Sequence, residues 1–230
     1  MEIRIESLLE GARRAAGTVV VIDVFRAFTT AAVALARGAE KIILTAEPEG
    51  ALALRAAGLG ELCMGEVGGV RPPGFDFGNS PFELSQADVI GKTLIQSTRA
   101  GTVGVCAVPQ PQALYAVAFV TAGATVRAIL RERPPLVTLV AMGARTTQRS
   151  DEDEQCALYL RNRLLGRLPD PDAVRKLVAD SADAARFGNP ELPHFHPGDL
   201  ALALDIDRYD FAVRVTYEAG RPVARAVAGG

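Results

Sequence analysis

Short β-branched runs alternate with Ala-rich stretches along most of this chain, and this alternation limits the fold more than any other feature. Residues 18–24 form an apolar run without polar alternation, which is typical of a central parallel strand covered on both faces. The Ala-rich stretches have the periodicity of amphipathic helices. The pattern predicts an α/β fold, with three layers (α/β/α) around a mostly parallel sheet and a C-terminal β-hairpin.

The same pattern predicts the order of the elements. Further strands are expected at residues 41–45, 62–64, 92–97, 113–119 and 136–142, and helices at 29–37, 48–57, 123–131, 151–165 and 171–187. Residues 211–217 and 222–226 form the expected hairpin, on a sheet edge or in a small subdomain. Because no linker interrupts the chain, residues 1–230 are predicted to form a single domain, with residues 171–230 as the candidate subdomain.

Composition and charge exclude several classes of function. The chain has 230 residues, of which 49% are hydrophobic and 23% charged, as in an ordinary globular protein. Its net charge of −2 argues against nucleic-acid binding, which needs a basic face. No run approaches the ~18 apolar residues of a membrane span, and the N-terminus lacks a signal-peptide pattern. We therefore expect a cytoplasmic protein without nucleic-acid or membrane partners.

The cysteines and histidines are few, and they limit the metal sites and catalytic mechanisms that are open to this chain. Cys63, Cys106 and Cys156 have no CxxC spacing and are expected to be reduced, buried thiols, which argues against a structural zinc site. The only histidines, His194 and His196, lie in one Pro-rich connection. A histidine-dependent reaction would have to use that connection.

Residues 63–81 form a long loop that is rich in Gly and Pro. Gly allows the backbone to approach a ligand closely, and Pro stiffens the chain between the polar positions. A loop of this length inside a compact domain is uncommon unless it builds a site. The loop carries four side chains that are able to bind ions or phosphate, namely Glu66, Arg71, Asp76 and Asn79.

Polar side chains also follow the predicted strands. In an open parallel sheet, ligands bind at the carboxyl ends of the strands, so these side chains converge on one pocket if the strands share a direction. Each segment also has a structural explanation, as a helix cap, a complement to a helix dipole or a surface charge. Their joint occurrence at four strand ends favours a site. They are Asp23 and Arg26, then Glu66, then Ser97, Thr98, Arg99 and Gly101, and finally Asp151 to Glu154.

This set of side chains suits a phosphate ester and a hard cation. Mg²⁺ is typically held by one or two carboxylates, by water and by phosphate oxygens. Arg side chains clamp anions, and hydroxyl and N–H groups at a helix start bind phosphate. The sequence has no P-loop and no GxGxxG fingerprint, and Phe25 stands where a haloacid-dehalogenase phosphatase has its second Asp.

Five segments resemble, in order and spacing, the 2-phosphosulfolactate phosphatase (ComB) family. The resemblance covers residues 18–165 well and the C-terminal third loosely. It implies a Mg²⁺-dependent acid phosphatase that hydrolyses 2-phosphosulfolactate to sulfolactate, a step associated with coenzyme M synthesis. The segments are VVIDVFRAFTT at 20–30, MGEVGG at 64–69, GFDFGNSP at 74–81, QSTRAGT at 96–102 and EDEQCA at 152–157.

The resemblance carries over residue by residue to these motifs. One departure stands out, because Arg99 and Ala100 replace the Thr-Asn pair of many relatives and could tune the anion pocket toward another substrate. The matching positions are Asp23 and Arg26, then Glu66, Asp76 and Asn79, then Ser97, Thr98 and Gly101, and finally Glu152, Asp153 and Glu154.

The resulting hypothesis assigns a role to each group. Water attacks phosphorus with Asp23 or Glu154 as base, or Asp23 itself attacks to give an aspartyl phosphate, and the sequence does not separate the two routes. Mg²⁺ is expected on a subset of Asp23, Glu66, Asp76 and Asp153, and the substrate on Arg26, Asn79, Ser97, Thr98, Arg99 and Gly101.

Two rival functions remain open. The same crevice could hold a small anion without catalysis, or a different hydrolase could be centred on His194 and His196. We expect both histidines to be dispensable, since they lie outside the well-matched region. A homodimer is the default expectation for an enzyme of this kind.

Overall fold

The computed structural model describes residues 1–144 and 147–229, in which strands and helices alternate as predicted. The strands are β1 (Glu2–Ser7), β2 (Thr18–Ile22), β3 (Lys41–Thr45), β4 (Leu62–Gly65), β5 (Thr93–Ser97), β6 (Ala113–Val117), β7 (Leu136–Ala141), β8 (Phe211–Glu218) and β9 (Arg221–Ala228). The helices are α1 (Leu8–Arg14), α2 (Ala27–Ala36), α3 (Pro48–Ala56), α4 (Pro81–Gln86), α5 (Gly101–Ala107), α6 (Ala122–Glu132), α7 (Asp151–Leu164), α8 (Pro171–Ala179) and α9 (Pro197–Ala203), with 3₁₀ turns at Phe119–Thr121 and Ala184–Arg186.

The strands form one nine-stranded sheet in the order β1-β7-β2-β6-β8-β9-β3-β5-β4. β1, β7, β2 and β6 are mutually parallel, and so are β3, β5 and β4. Every residue of β2 is buried, as its apolar run predicts for a strand covered on both faces. The predicted α/β class with a mostly parallel sheet and a C-terminal hairpin is confirmed.

The C-terminal hairpin lies in the middle of the sheet, between β6 and β3. We expected it on a sheet edge or in a small subdomain, and the edge position is wrong. β8 pairs antiparallel with β6, and β9 pairs antiparallel with β3. The alternating side chains of a hairpin do not distinguish an edge from a centre, because pairing partners lie far away in sequence. The single-domain assignment stays a prediction.

The hairpin reverses the direction of one half of the sheet. Three successive antiparallel pairings, β6 with β8, β8 with β9 and β9 with β3, make β3, β5 and β4 run opposite to β2 and β7. Nevertheless the chain just after β2 meets the chain just after β5, where the Gly101 N–H donates to Asp23 Oδ2 at 2.7 Å. The sheet must therefore curve, as twisted sheets do, to bring these ends together.

Helix α2 follows shortly after Asp23 and is buried among the surrounding elements. Every residue from Ala27 to Leu35 is buried, so the helix is covered on all sides rather than along one stripe. It packs against α4, α5, β6 and β9. Ala and Thr make up much of α2, and their small volume allows neighbouring elements to approach closely. Asp23 and Arg26 directly precede this buried helix and are held in place by it.

Local sequence signals explain several helix ends. Ser80 caps α4, since its Oγ accepts the Glu83 N–H at 3.1 Å and Pro81 follows at the first position. Helix α7 begins with four acidic residues and has Arg161 and Arg163 in its last turn, which suits the helix dipole at both ends. Signals of this kind act within a few residues and set where each helix begins and ends.

Some elements differ from the sequence prediction. The strand β1 and helix α1 were not predicted, because charged residues interrupt the apolar pattern of β1. The helix expected over residues 171–187 ends at Ala179 and is followed by a 3₁₀ turn at Ala184–Arg186. That break turns the following chain toward the site described below.

The three cysteines are free thiols, as expected. Cys63 and Cys156 are buried, but Cys106 is exposed, so the prediction of burial is wrong for Cys106. Among residues 1–144 and 147–229, no helix combines the length and apolar character needed to cross a membrane.

Candidate active site

A cavity of about 500 Å³ opens where the ends of β2, β4, β5 and β7 meet the start of α7 and the segment 183–195. Its volume falls in the range of roughly 300–1,000 Å³ that is typical of small-molecule sites. The lining includes Asp23, Phe25, Arg26, Glu66, Gly69, Asn79, Arg99, Ala100, Gly143, Glu152, Asp183, Arg186, Leu192, His194 and Phe195.

Asp23 is held rigidly at the base of this cavity. Its Oδ1 accepts the Ala27 N–H at 3.0 Å, and its Oδ2 accepts the Gly101 N–H at 2.7 Å. A Cβ at Gly101 would lie 2.8 Å from Asp23 Oδ2, so this contact needs glycine. The predicted sites at the ends of β2 and β5 are therefore one site, joined through this carboxylate.

Glu66 joins two loops at the cavity. Its Oε1 accepts the Arg99 N–H at 2.8 Å, and its Oε2 accepts the Gly69 N–H at 2.6 Å. The half-buried carboxylate thus holds the glycine loop, residues 63–81, against the chain after β5. Each oxygen keeps a lone pair for a further ligand.

Two buried oxygens on the cavity have no hydrogen-bond partner, namely Glu152 Oε2 and Asn79 Oδ1. Both side chains are at least nine-tenths buried, with exposed fractions of 4% and 5%. A buried polar atom without a partner costs about 1–3 kcal/mol, and such atoms are uncommon in folded proteins. These oxygens are therefore suited to a ligand, a cation or a reacting proton.

Burial changes the acidity of the carboxyl groups. Burial raises the pKa of Asp23 to about 6, and the charge of Glu66 adds to the rise, whereas the N–H donors and Arg26 oppose it. Burial also raises the pKa of Glu152 to about 7, with a further contribution from the charge of Asp183. Two carboxyl groups on one cavity therefore titrate near neutral pH, as in many acid–base sites.

Arg26 lies on the cavity, but its guanidinium is largely engaged in hydrogen bonds with other groups of the protein. Its Nη1 donates to Asp199 Oδ2 at 2.8 Å and to the His194 carbonyl at 2.6 Å, and this ion pair is almost wholly buried. Asp199 Oδ1 also accepts from the Ser80 hydroxyl and the Phe82 N–H. Arg26 therefore anchors the C-terminal segment and offers less of its charge to a substrate than predicted.

The segment 183–195 forms one wall of the cavity. The Arg186 and Arg26 guanidinium carbons each lie 4.4 Å from the centroid of the Phe195 ring. The pKa of His194 is lowered by burial and by the positive charges of Arg26 and Arg186. The wall thus carries two guanidinium groups, each paired with a carboxylate, since Asp183 lies 3.3 Å from Arg186 Nη1 and Asp199 lies 2.8 Å from Arg26 Nη1.

Three predicted acidic residues do not line the cavity. Asp76 pairs with Arg55 at 2.7 Å and accepts the Cys63 N–H, which pins the glycine loop to β4. Asp153 accepts the N–H groups of residues 24 and 143 at 2.8 Å each, and burial together with Glu152 raises its pKa well above the usual value. Glu154 accepts from the Ser7 hydroxyl at 2.6 Å, away from the cavity. These three side chains make structural contacts and are not among the residues that line the cavity, so their predicted metal and catalytic roles stay predictions.

The hydroxyl groups after β5 are also outside the lining. Thr98 and Thr102 exchange hydrogen bonds across the start of α5, whose N-cap residue is Ala100, so Thr98 is not the N-cap but its Oγ1 accepts the Thr102 N–H. Ser97 Oγ is buried without a partner, but the side chain is absent from the cavity wall. Of the predicted substrate residues, those that reach the cavity are Arg26, Asn79 and Arg99, with Gly101 behind Asp23.

Among the described residues, protein side chains alone do not form a complete metal site. Within the described parts of the chain, no three His, Cys, Asp or Glu side chains are grouped closely enough to hold a metal ion. Of the predicted metal ligands, Asp23 and Glu66 line the cavity. Two carboxylates would suit Mg²⁺, which takes its other ligands from water and phosphate.

Comparison with known proteins decides the family. The sequence model described as 2-phosphosulpholactate phosphatase matches residues 4–187, which is most of the chain. The chain belongs to the 2-phosphosulfolactate phosphatase family. The resemblance stated from the sequence motifs is therefore confirmed.

Curated relatives of this family are similar over different shares of the chain. A protein of Parasynechococcus marenigrum is 38% identical over 72% of this chain and 67% of its own, and one of Bacillus subtilis is 27% identical over 90% and 91%. A protein of Deinococcus radiodurans is 39% identical over 54% of this chain, which there spans about half of the relative's length. Each carries the name "Probable 2-phosphosulfolactate phosphatase".

Sequence reasoning missed several residues of the 2-phosphosulfolactate phosphatase cavity. Glu152 was matched to a family motif without a role, and Asp183, Arg186 and His194 were not considered as lining residues. His194 lies on the cavity although it is outside the matched residues 4–187, so its dispensability stays a prediction, whereas His196 stacks on Phe82 at 4.0 Å and is not in the lining. The break after α8 and the Pro-rich connection were the available signals for this wall.

Proposed function

We propose that this chain is a Mg²⁺-dependent phosphatase that hydrolyses 2-phosphosulfolactate, or a related small phosphorylated 2-hydroxy acid, to the free acid and inorganic phosphate. One observation supports this above the others, namely that buried Asp23 and Glu152 share a cavity with the guanidinium group of Arg99. Phosphoryl transfer needs such positioning and charge neutralisation. The substrate is suggested by the family and by the names of its relatives.

The oxygens on the cavity fit a hard cation. Asp23 and Glu66 supply carboxylates, and Asn79 Oδ1 is a buried oxygen without a protein partner. These residues would hold Mg²⁺ together with water and a phosphate oxygen of the substrate. When bound, Mg²⁺ would neutralise phosphate charge and make phosphorus easier to attack.

The phosphate group also needs cationic side chains. Arg99 donates its backbone N–H to Glu66 and is about half exposed, and its guanidinium makes only a long contact of 3.8 Å with exposed Glu47, which leaves donors for an anion. Arg26 is mostly neutralised by Asp199. We therefore assign Arg99 as the main guanidinium for phosphate and Arg26 as a residue that shapes the site.

Two carboxyl groups are placed to handle protons. In the direct route, a water oxygen bonds to phosphorus while the bond from phosphorus to the C2 oxygen of the acid breaks. Asp23, fixed by two amide donors, accepts a proton from the attacking water. Glu152, whose Oε2 has no protein partner, gives a proton to the leaving oxygen. Proton exchange with solvent then restores both groups.

A covalent route uses the same residues. Asp23 would bond to phosphorus, Glu152 would protonate the leaving oxygen, and water would then release phosphate from the aspartyl phosphate. Trapping a labelled phosphoenzyme that is absent in Asp23→Asn would select this route. Burst-free kinetics with no trapped species would select direct attack by water.

The test of the proposed function is release of phosphate from 2-phosphosulfolactate, phospholactate and phosphoglycolate, with Mg²⁺ or with EDTA. We expect turnover that requires Mg²⁺ and falls by at least about a thousandfold in Asp23→Asn. No turnover of any substrate by folded protein with Mg²⁺ would overturn the proposal. That result would favour a non-catalytic anion-binding protein that uses the same cavity.

The proposal includes the setting of the enzyme. We place it in the cytoplasm, as a homodimer, with a small phosphorylated acid as its partner molecule and with no nucleic-acid or membrane partner. A role in coenzyme M biosynthesis follows if the substrate is 2-phosphosulfolactate. Sedimentation equilibrium would test the dimer directly.

A further inference from the structure

The cavity is lined by both acidic and basic side chains. Asp23, Glu66 and Glu152 contribute carboxylates from the chain after β2, from the glycine loop and from α7. Segment 183–195 contributes Arg186 and His194, together with the carboxylate of Asp183. A phosphorylated 2-hydroxy acid has two different ends, because it carries a phosphate ester and at least one other anionic group.

Arg186 has unused capacity for an anion. Its Nε is buried and has no hydrogen-bond partner, and its ion pair with Asp183 is a single contact at 3.3 Å. A buried donor without an acceptor is unfavourable, so an oxygen supplied by a ligand would stabilise it. A guanidinium is the group that best matches the paired oxygens of a carboxylate or sulfonate.

The wall around Arg186 holds this guanidinium in position. Arg186 and Arg26 both stack on the ring of Phe195, each 4.4 Å from the ring centroid to the guanidinium carbon. Phe195 in turn packs edge-on against Phe187 at 5.4 Å. Asp199 offsets the charge of Arg26 through a buried pair at 2.8 Å, whereas Arg186 has a single, longer contact with Asp183 at 3.3 Å, so Arg186 is the guanidinium of this wall with donors left for an anion.

We propose that Arg186, assisted by His194, binds the second anionic group of the substrate, its carboxylate or its sulfonate, while the phosphate lies toward Asp23. This inference rests on the proposed function and adds the residue that recognises the end of the substrate away from the phosphate. The wall selects against simple alkyl phosphates, which leave Arg186 Nε without a partner.

The first test measures KM and kcat of Arg186→Gln for three substrates that differ in anionic groups. Isopropyl phosphate has no second anion, 2-phospholactate has a carboxylate, and 2-phosphosulfolactate has both a carboxylate and a sulfonate. We expect KM for at least one of the two acids to rise about 10- to 100-fold, with KM for isopropyl phosphate unchanged. Arg161→Gln is the matched control, because Arg161 is an exposed arginine on α7.

The pattern of KM changes across the three substrates identifies which anionic group of the substrate Arg186 binds. A rise for both acids assigns the carboxylate to Arg186, and a rise for 2-phosphosulfolactate alone assigns the sulfonate. Unchanged KM for both acids, or an equal loss with isopropyl phosphate, overturns the proposal. Arg186→Lys keeps the charge without the planar fork and should recover part of the affinity. His194→Ala should weaken binding a few-fold, and His194→Gln should restore it.

A second test does not depend on turnover. Calorimetry measures binding of sulfolactate and lactate to the full chain in the presence of inorganic phosphate and Mg²⁺. We expect binding of sulfolactate to weaken at least about tenfold in Arg186→Gln and to be unchanged in Arg161→Gln. Equal affinity in Arg186→Gln, or no binding of either acid by the original chain, overturns the inference. Binding through Arg186 without any phosphate release would instead reject the proposed function alone.

Discussion

Glu152 is a buried carboxyl group on the cavity, and its environment favours the protonated form. Burial raises its pKa from 4.5 to about 7, with the charges of Asp183 and Asp23 adding to the rise. At about 1.4 kcal/mol per tenfold change in proton affinity, ionised Glu152 destabilises the folded chain by roughly 3 kcal/mol. The group is therefore suited to proton transfer at the expense of stability.

The first prediction concerns Glu152→Gln in metal-free protein. The folded state binds this proton more tightly than the unfolded state, so wild-type stability falls as pH rises from about 4.5 through 7. Gln cannot ionise, so the stability of Glu152→Gln does not fall over this pH range for this reason. We expect it to be more stable than the wild type by about 2–3 kcal/mol at pH 8 and by less than about 1 kcal/mol at pH 5.

Urea unfolding in EDTA at both pH values provides the measurement. Glu40→Gln is the control, because Glu40 is exposed before β3 and lies away from the cavity. A difference between wild type and Glu152→Gln that stays the same from pH 5 to pH 8 would contradict the raised pKa.

The second prediction concerns the buried ion pair of Arg26 and Asp199. Removal of one partner from a buried pair leaves an uncompensated charge and costs about 3–5 kcal/mol. We expect Asp199→Asn to lower the free energy of unfolding by about that amount, although Asn keeps an oxygen for Ser80. Urea unfolding measures the loss.

A double-mutant cycle separates the charge from the packing. Arg26→Met combined with Asp199→Asn removes both charges, so its loss should be smaller than the sum of the single losses by at least about 1 kcal/mol. Activity should not return with stability, because Arg26 shapes the cavity. Strictly additive losses would mean that the two side chains do not interact.

At the scale of elements, the C-terminal hairpin is the connection between the two parallel halves of the sheet. Val215 of β8 pairs with Leu114 of β6, and Ala224 of β9 pairs with Ile42 of β3. Val215 and Ala224 also pair with each other. Both residues are buried, so the middle of the hairpin belongs to the core.

The third prediction uses this central position. Ala224→Pro removes an N–H from a strand paired on both sides and should lower the free energy of unfolding by at least about 3 kcal/mol. Ala224→Gly keeps the N–H and should cost about 1 kcal/mol. Denaturant unfolding of both variants measures the difference. A loss from Pro that is no larger than the loss from Gly would show that the hairpin does not join the two halves.

At the scale of the whole molecule, the cavity depends on three distant parts of the chain. Asp23 comes from the first parallel half, Glu66 and Arg99 come from the second half, and Arg186 comes from the segment after α8. A ligand that contacts all three parts binds only the folded chain. Ligand binding and folding are therefore linked.

The fourth prediction follows from this linkage. Mg²⁺ with inorganic phosphate at about 100 times its Kd should stabilise the protein by about 2.7 kcal/mol, which for a chain of this size raises Tm by roughly 5–10 °C. Differential scanning calorimetry measures the shift. EDTA or Asp23→Asn should abolish it, and NaCl at equal ionic strength should not reproduce it. An equal shift in Asp23→Asn would place the ligand elsewhere.

Much of the fold was predictable because its signals are local. The β-branched run of β2, the capping Ser80 and the charge distribution of α7 each act within a few residues. Asp23 and Glu66 were predictable for a similar reason, since a polar side chain directly after a buried apolar strand stands at the sheet edge. Family motifs narrowed the choice further.

The roles of other residues were decided by contacts between distant segments. Asp76, Asp153 and Glu154 are acidic residues within family motifs, yet each is engaged by Arg55, by backbone amides or by Ser7. A carboxylate that pins a loop and a carboxylate that faces a cavity look the same in sequence.

The sequence by itself determined the α/β class, the buried strand that directly precedes Asp23, and the family. The tertiary structure alone decided that the hairpin joins the two halves of the sheet and that Arg186 and His194 line one cavity with Asp23 and Glu152. The physical reason is that strand pairing and burial depend on partners far away along the chain, whereas propensity and capping act over a few neighbouring residues.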